Sequence, residues 1–249
     1  MAKKIAYGSG TLFGIDLSSL YPTPVKFGIL QDVNVEFSGS MKELHGGNVF
    51  AVAAGRGKSK ITGKAKFAEL DASVFATLFW GATKVTGQIL VAEDEVAAIP
   101  DTPGPYTITV ANAAHFERDL GVDFSLTGRG LKRVSGVPTT GQYAVVIATG
   151  VYTFAAADKL LGIHISYTYT DPANGVTVTL NNQAMGTPPT FQVVLYDKYQ
   201  TQQWVLILNK CTASKLTFPT KQEDFLIQEF DFEAMADDSN NLGLYSNPY

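Results

Sequence analysis

For most of its length this sequence alternates apolar and polar side chains between short turn signals, a period-two pattern that commits a chain to sheets. In Asp32-Val33-Asn34-Val35-Glu36-Phe37 the apolar residues fall on odd positions, so one strand face is expected to be buried and the other wet. Lys58-Ser59-Lys60-Ile61-Thr62-Gly63-Lys64-Ala65-Lys66-Phe67 repeats the pattern with Lys58, Lys60, Lys64 and Lys66 on one face. Residues 224–234 do so again, with Leu226, Phe230, Phe232 and Ala234 on one side and a line of Glu229, Asp231 and Glu233 on the other. Further strands are expected at 106–110, 143–147, 162–170, 176–180, 191–197 and 203–208, separated by turns such as Pro103-Gly104-Pro105, Gly136-Val137-Pro138 and Asp171-Pro172-Ala173-Asn174-Gly175. Only residues 71–80 carry helical spacing, with Val74, Phe75, Leu78 and Phe79 on one side, Asp71 placed to cap the start and Gly81 to end it in a left-handed conformation. The predicted fold is therefore mainly β, a sandwich or barrel with one short flanking helix and extended loops.

At 249 residues the chain has room for one large β domain, with a subdomain inserted at about 95–175. The 19 basic and 23 acidic residues give a formal charge of -4, which disfavours a surface that grips a polyanion by releasing counterions. Cys211 is the single cysteine, so neither an internal disulfide nor a thiolate metal cluster is expected. Lys3 and Lys4 are not followed by the apolar stretch of a signal peptide, and no apolar run approaches the ~20 residues of a membrane span. No membrane partner is expected.

Motifs that would carry catalysis or a cofactor are missing from this sequence. Gly57-Lys58-Ser59 resembles the end of a phosphate-binding loop, but Val52 stands where the first glycine belongs and a lysine-rich strand follows in place of a helix. His45, His115 and His164 have no metal-ligand spacing, and Ser9, between Gly8 and Gly10, lacks the spacing of a nucleophile elbow. Glu93, Asp94 and Glu95 read as a solvated turn, because paired catalytic acids must converge in a cleft. The expectation is a protein that is not an enzyme and holds no metal or cofactor.

A family resemblance runs through most of the chain in consistent order. It is carried by residues 24–33 (PVKFGILQDV), Lys42-Glu43-Leu44, Gly55-Arg56-Gly57-Lys58 and residues 60–68 (KITGKAKFA). Residues 138–143 (PTTGQY), 152–158 (YTFAAAD), 165–169 (ISYTY), 218–221 (FPTK) and 230–234 (FDFEA) continue it. Together these segments resemble the tail tube (major tail) proteins of long-tailed bacteriophages and prophages. Such proteins often have a Gln-Phe-Pro type segment after the Lys-Glu-Leu motif, where this chain has Asn48-Val49-Phe50-Ala51-Val52. The resemblance implies a virion protein, assembled in the host cytoplasm, whose subunits form hexameric rings stacked head to tail into a hollow tube. Its partners would be copies of itself and other tail proteins such as the tape measure and terminator, with DNA as non-specific passing cargo.

A closing ring and a non-closing stack both need exposed strand margins and extending arms, for which residues 1–12, 38–57 and 236–249 are candidates. Lys42, Glu43, Leu44, Phe50, Arg56, Lys58, Lys60, Lys64 and Lys66 are the candidate inter-subunit contacts; for the lysine row a plain solvated strand face is the alternative. DNA slides along a neutral or negative wall and sticks to a positive one, so Glu229, Asp231 and Glu233 are the candidate lumen lining. From another class, a β-sandwich module binding carbohydrate or a surface receptor predicts a stable monomer with a concave aromatic patch.

Overall fold

The computed structural model describes residues 6–47, 49–101, 103–182, 184–186 and 188–247. Strand accounts for 55% of the chain and helix for 6%, so the fold is mainly β and of the sandwich class. The first half contains β1 (Thr11–Asp16), β2 (Val25–Lys26), β3 (Leu30–Leu44), β4 (Ala53–Phe67), a helical segment at Val74–Trp80, β5 (Lys84–Ala98), β6 (Thr107–Thr109) and β7 (Phe116–Phe124). There follow β8 (Lys132–Arg133), β9 (Gln142–Val146), β10 (Val151–Phe154), β11 (Gly162–Val178), β12 (Thr190–Tyr199), β13 (Gln202–Thr217), β14 (Gln228–Met235) and β15 (Gly243–Ser246). These elements form two compact units, one made by the chain up to Lys84 and from Val178 onward, the other by Val85–Thr177.

The first unit is an eight-stranded sheet in the order β2-β1-β12-β13-β14-β4-β3, with β15 also pairing β13. Alternation decides what is inside. On β4 Ile61, Gly63, Ala65 and Phe67 are buried while Thr62, Lys64 and Lys66 are half-exposed, and on β14 Gln228, Phe230 and Phe232 are buried. The sheet curls around this face, so that Phe27, next to β2, meets Phe67 of β4 with ring centroids 5.0 Å apart and Phe230 of β14 at 5.3 Å. Gly63 lies opposite Phe232, and a Cβ there would collide with the ring, so glycine is what lets the aromatic lie flat on the neighbouring strand. The helical segment adds Val74, Ala76 and Leu78 to the buried set. Its ends match the sequence reading: Asp71 Oδ1 accepts the Ser73 N–H at 2.6 Å, and Gly81 is left-handed at φ 64. Phe75 and Phe79 are half-buried and stack on each other at 6.3 Å, with Phe218 against Phe75 at 6.0 Å.

The second unit packs a four-stranded sheet, β6-β10-β9-β8, against a three-stranded one, β5-β11-β7. Tyr143, Tyr152 and Phe154 from the first meet Val122, Phe124, Ile163, Ile165 and Tyr167 from the second. Thr177 Oγ1 donates to the Gly87 carbonyl at 2.7 Å, so the chain enters and leaves this unit at adjacent points.

Several expectations are corrected. The turn read at Asp171–Gly175 lies inside continuous β11: Asp171 Oδ1 accepts the Ala173 and Asn174 N–H groups at 3.0 and 3.3 Å, so side-chain hydrogen bonds serve the local backbone without ending the strand. Glu93, Asp94 and Glu95 lie in strand β5, not in a turn; Glu95 accepts the Tyr167 hydroxyl at 2.5 Å and the Ala111 N–H at 3.0 Å. Phe37, expected inside, is 61% exposed although it pairs with buried Ile61, because β3 ends the sheet order and among the described residues has no strand on its other side. The strand read at 224–234 runs from Gln228 to Met235, and a further strand, β15, follows it.

The arms read at the two ends are also largely integrated. Residues 1–5 lie outside the described residues, Leu12 of the N-terminal arm is fully buried in the core, and Thr11–Asp16 pair with β12. In the C-terminal arm β15 pairs with Val205–Leu208 of β13 and Tyr245 packs on Trp204 at 6.5 Å. Asp237 Oδ1 holds the N–H groups of Ser239 and Asn241 at 2.9 and 2.8 Å.

Candidate functional site: the charged sheet face and the open ribbon

The residues singled out from the sequence fall in two places on the first unit. One is the outer face of the sheet, where β14 pairs with β4 so that Glu229 lies opposite Lys66, Asp231 opposite Lys64 and Glu233 opposite Thr62. Lys64 Nζ is 2.8 Å from Glu229, Lys60 Nζ 2.9 Å from Glu233, and Lys66 and Lys215 reach Glu229 at 3.7 and 3.9 Å. The acidic row and the lysine row are thus partners within one chain. Lys60, Lys64 and Lys66 each reach a carboxylate of their own sheet.

The hydrogen bond from Lys64 holds the Glu229 carboxyl below its usual range, helped by the charges of Lys64, Lys66 and Lys215; the same bond raises Lys64. Asn34 and Glu36 of β3 join this face around a depression of about 310 Å³. The face carries both signs in alternation, so it neither repels nor grips a polyanion strongly. Asp231 Oδ1 and Thr212 Oγ1 are buried without a hydrogen-bond partner among the described residues.

The second place is the far end of β3 and β4. Their pairing continues past the core, through an irregularity at Gly39/Met41, to Leu44 opposite Ala53, and the Val52 N–H closes it on the Leu44 carbonyl at 2.7 Å. Residues 38–44 of β3 are exposed on both faces, forming a two-stranded ribbon about 20 Å long. Lys42, Glu43, Leu44, Arg56 and Lys58 lie on it and Phe50 near its tip, where Val49 and Phe50 are 89% and 84% exposed. Glu43 faces His45 at 3.4 Å, whereas Lys42, Arg56 and Lys58 form no ion pair among the described residues. An isolated two-stranded ribbon is marginal in water, and one bearing Met41, Leu44, Phe50 and Val52 in the open gains stability by covering them. β3 is also an end strand of the sheet order, pairing with β4 alone, so its other margin is open to a further strand.

The second unit holds a buried polar cluster that alternation concealed. No strand is expected at 116–124 from the sequence, and strict alternation through Phe116, Val122 and Phe124 would put Leu120 inside and Asp119 outside. A register shift opposite Ser166/Tyr167 reverses this: Leu120 is 51% exposed and the Asp119 side chain 4%. Asp119 accepts the Tyr143 and Tyr152 hydroxyls at 2.8 and 2.9 Å and the Gly121 N–H at 3.2 Å, with Arg133 at 3.5 Å. Burial first, then the Asp119 carboxylate, pushes both tyrosine hydroxyls well above their ordinary range. Every member has a partner, and the cluster fixes the packing of the two sheets on each other. The sequence signal that could have revealed it is Asp119-Leu120-Gly121, where a glycine permits the φ of 128° that the bulge uses.

Among the described residues no three His, Cys, Asp or Glu side chains are grouped to hold a metal, and no helix is long and apolar enough to cross a membrane. No family model matches the chain, and no curated protein matches it.

Proposed function

We propose that this chain is the structural subunit of a bacteriophage tail tube, assembling into hexameric rings that stack head to tail around a channel for DNA. The observation that carries the reading is the ribbon made by the ends of β3 and β4, which places apolar side chains in water on a two-stranded element that needs a neighbour. The open margin of β3 supports it, since a ring of subunits can continue the sheet from one copy to the next. The mixed-charge face of β4 and β14 suits a channel wall, because paired carboxylates and lysines leave little net field to arrest a moving polyanion. In this role the subunit resides in the virion, is built in the host cytoplasm, and meets the tape measure and terminator at the ends and interior of the tube.

Electron microscopy of the purified chain over a concentration series tests the reading. Striated hollow rods are expected, and a version shortened by replacing residues 40–57 with a two-residue turn should fold but stay unassembled. A monodisperse monomer at every concentration would refute it.

A further inference from the structure

We propose that Asn174 is a site of spontaneous, irreversible self-modification, losing its side-chain amide to the backbone nitrogen of Gly175 at a rate that Asp171 restrains. Asn174 is the only asparagine followed by glycine in the sequence, so here alone no Cβ on the next residue hinders approach to the nitrogen. Both residues are exposed, and Gly175 sits at φ 72, so the backbone leaves extended geometry at the bond that reacts.

The Gly175 nitrogen gives up its proton to solvent and attacks Asn174 Cγ. The new C–N bond closes a succinimide ring, the Cγ–Nδ2 bond breaks, and ammonia carries the amide nitrogen away. Water then opens the ring at either carbonyl, leaving aspartate or isoaspartate, the latter with one more methylene in the main chain.

Asp171 opposes the first of these steps. Its Oδ2 accepts the Asn174 Nδ2 at 2.9 Å and its Oδ1 the Asn174 N–H at 3.3 Å, while Gln88 of β5 donates to the same carboxylate. The amide is thus held by the atom that must leave, and Cγ has to be freed before it reaches the roughly 3–3.5 Å from the nitrogen at which reaction begins. After conversion the donor is gone and a second carboxylate stands beside Asp171, so a contact that held the segment now repels. β5 presses on the other side, where a Cβ on Gly175 would come within 2.7 Å of the Gln88 side chain, leaving no slack for an inserted methylene. The bond from Thr177 to the Gly87 carbonyl, two residues further along β11, is the next to open.

Peptide mapping of the intact chain, stored in mildly alkaline buffer at physiological temperature, tests the proposal, with electron-transfer fragmentation to separate aspartate from isoaspartate. Conversion is expected at Asn174 ahead of every other asparagine, rising with pH and vanishing in Asn174→Gln. Asp171→Ala should speed it at least fivefold, and Asp171→Asn, which keeps a carbonyl acceptor for the Asn174 amide, should speed it less. Because Asp171→Ala can also act by loosening the fold at large, the same rates are read in urea. Unfolding should accelerate the wild type more than the alanine variant; equal acceleration would assign the restraint to the fold and refute the role of Asp171. Asn174→Asp, which copies one charged product, should raise hydrogen exchange on peptides spanning Gly87 and Thr177 and leave the fluorescence of Trp80 and Trp204, outside this unit, unchanged. Equal rates in wild type and Asp171→Ala, or conversion at Asn174 no faster than at Asn240 and Asn241, would overturn the proposal.

Discussion

Replacing Asp119 by alanine should unfold the second unit while leaving the first nearly untouched. In the folded state its carboxylate is the acceptor for two tyrosine hydroxyls and the Gly121 N–H, and its side chain is 4% exposed. Removal strands three donors, each worth about 1–3 kcal/mol when buried without a partner, so the expected loss is roughly 3–6 kcal/mol, allowing for water that enters. Tyr143→Phe removes only one bond to a charged acceptor, about 1.5–3 kcal/mol, and leaves the others intact. For a unit of about 90 residues, with a urea slope of about 1 kcal/mol per molar, the alanine variant should lose about 3 M or more in midpoint, which unfolds a unit of ordinary stability. Both tryptophans, Trp80 and Trp204, lie outside Val85–Thr177, so their fluorescence follows the first unit alone. Pulsed hydrogen exchange across a urea series, read on peptides from the second unit, reports the other. A cost for Asp119→Ala no larger than for Tyr143→Phe, or a fluorescence transition that moves with it, would refute the reasoning that this cluster pins the second unit independently.

Further outcomes are expected from the same structure. Tyr143 and Tyr152 titrate higher when folded than when unfolded, so their contribution is complete below about pH 10 and disappears as pH rises beyond it; protection of the second unit should fall there, and less so in Tyr143→Phe/Tyr152→Phe. Glu229 has a depressed folded value, so what it contributes is present above about pH 4.3 and is lost as pH falls through the lower folded value; carbon-detected titration should place it below the usual range and move it upward in Lys64→Met. Burial pushes the Cys211 thiol up to about 12 and removes it from solvent, so maleimide should label it only when the sheet opens, with a rate that follows the tryptophan transition. Gly63→Val would drive a side chain into the Phe232 ring and cost about 1–3 kcal/mol, measurable as a lower urea midpoint by fluorescence.

Where one strand face is buried and the other wet, the sequence was readable. Lys60 to Phe67 and Glu229 to Ala234 alternate as written because each lies over a continuous apolar layer, and the helical segment was legible because Asp71 and Gly81 bound it chemically. Three kinds of residue were not legible. Phe37, just before the ribbon, keeps strand alternation on an end strand that among the described residues has no neighbour on its other side to bury it. Asp119 and Leu120 exchange faces at a bulge, and a one-residue slip inverts any period-two reading. The pairing of Glu229 with Lys64 is a cross-strand event between segments more than 160 residues apart in sequence, and no local pattern states which strands become neighbours. For the candidate site, the lysine and carboxylate rows were each visible as rows, but their mutual neutralisation was not.

The hydrogen bond between Thr177 and the Gly87 carbonyl joins the two ends of the intervening polypeptide. Because those ends meet, everything between them can be lengthened, trimmed or exchanged without dragging the remaining strands out of alignment. A short hairpin should therefore substitute for the whole of residues 88–176, giving a minimal scaffold with its eight-stranded sheet intact and a ready attachment point for a foreign domain.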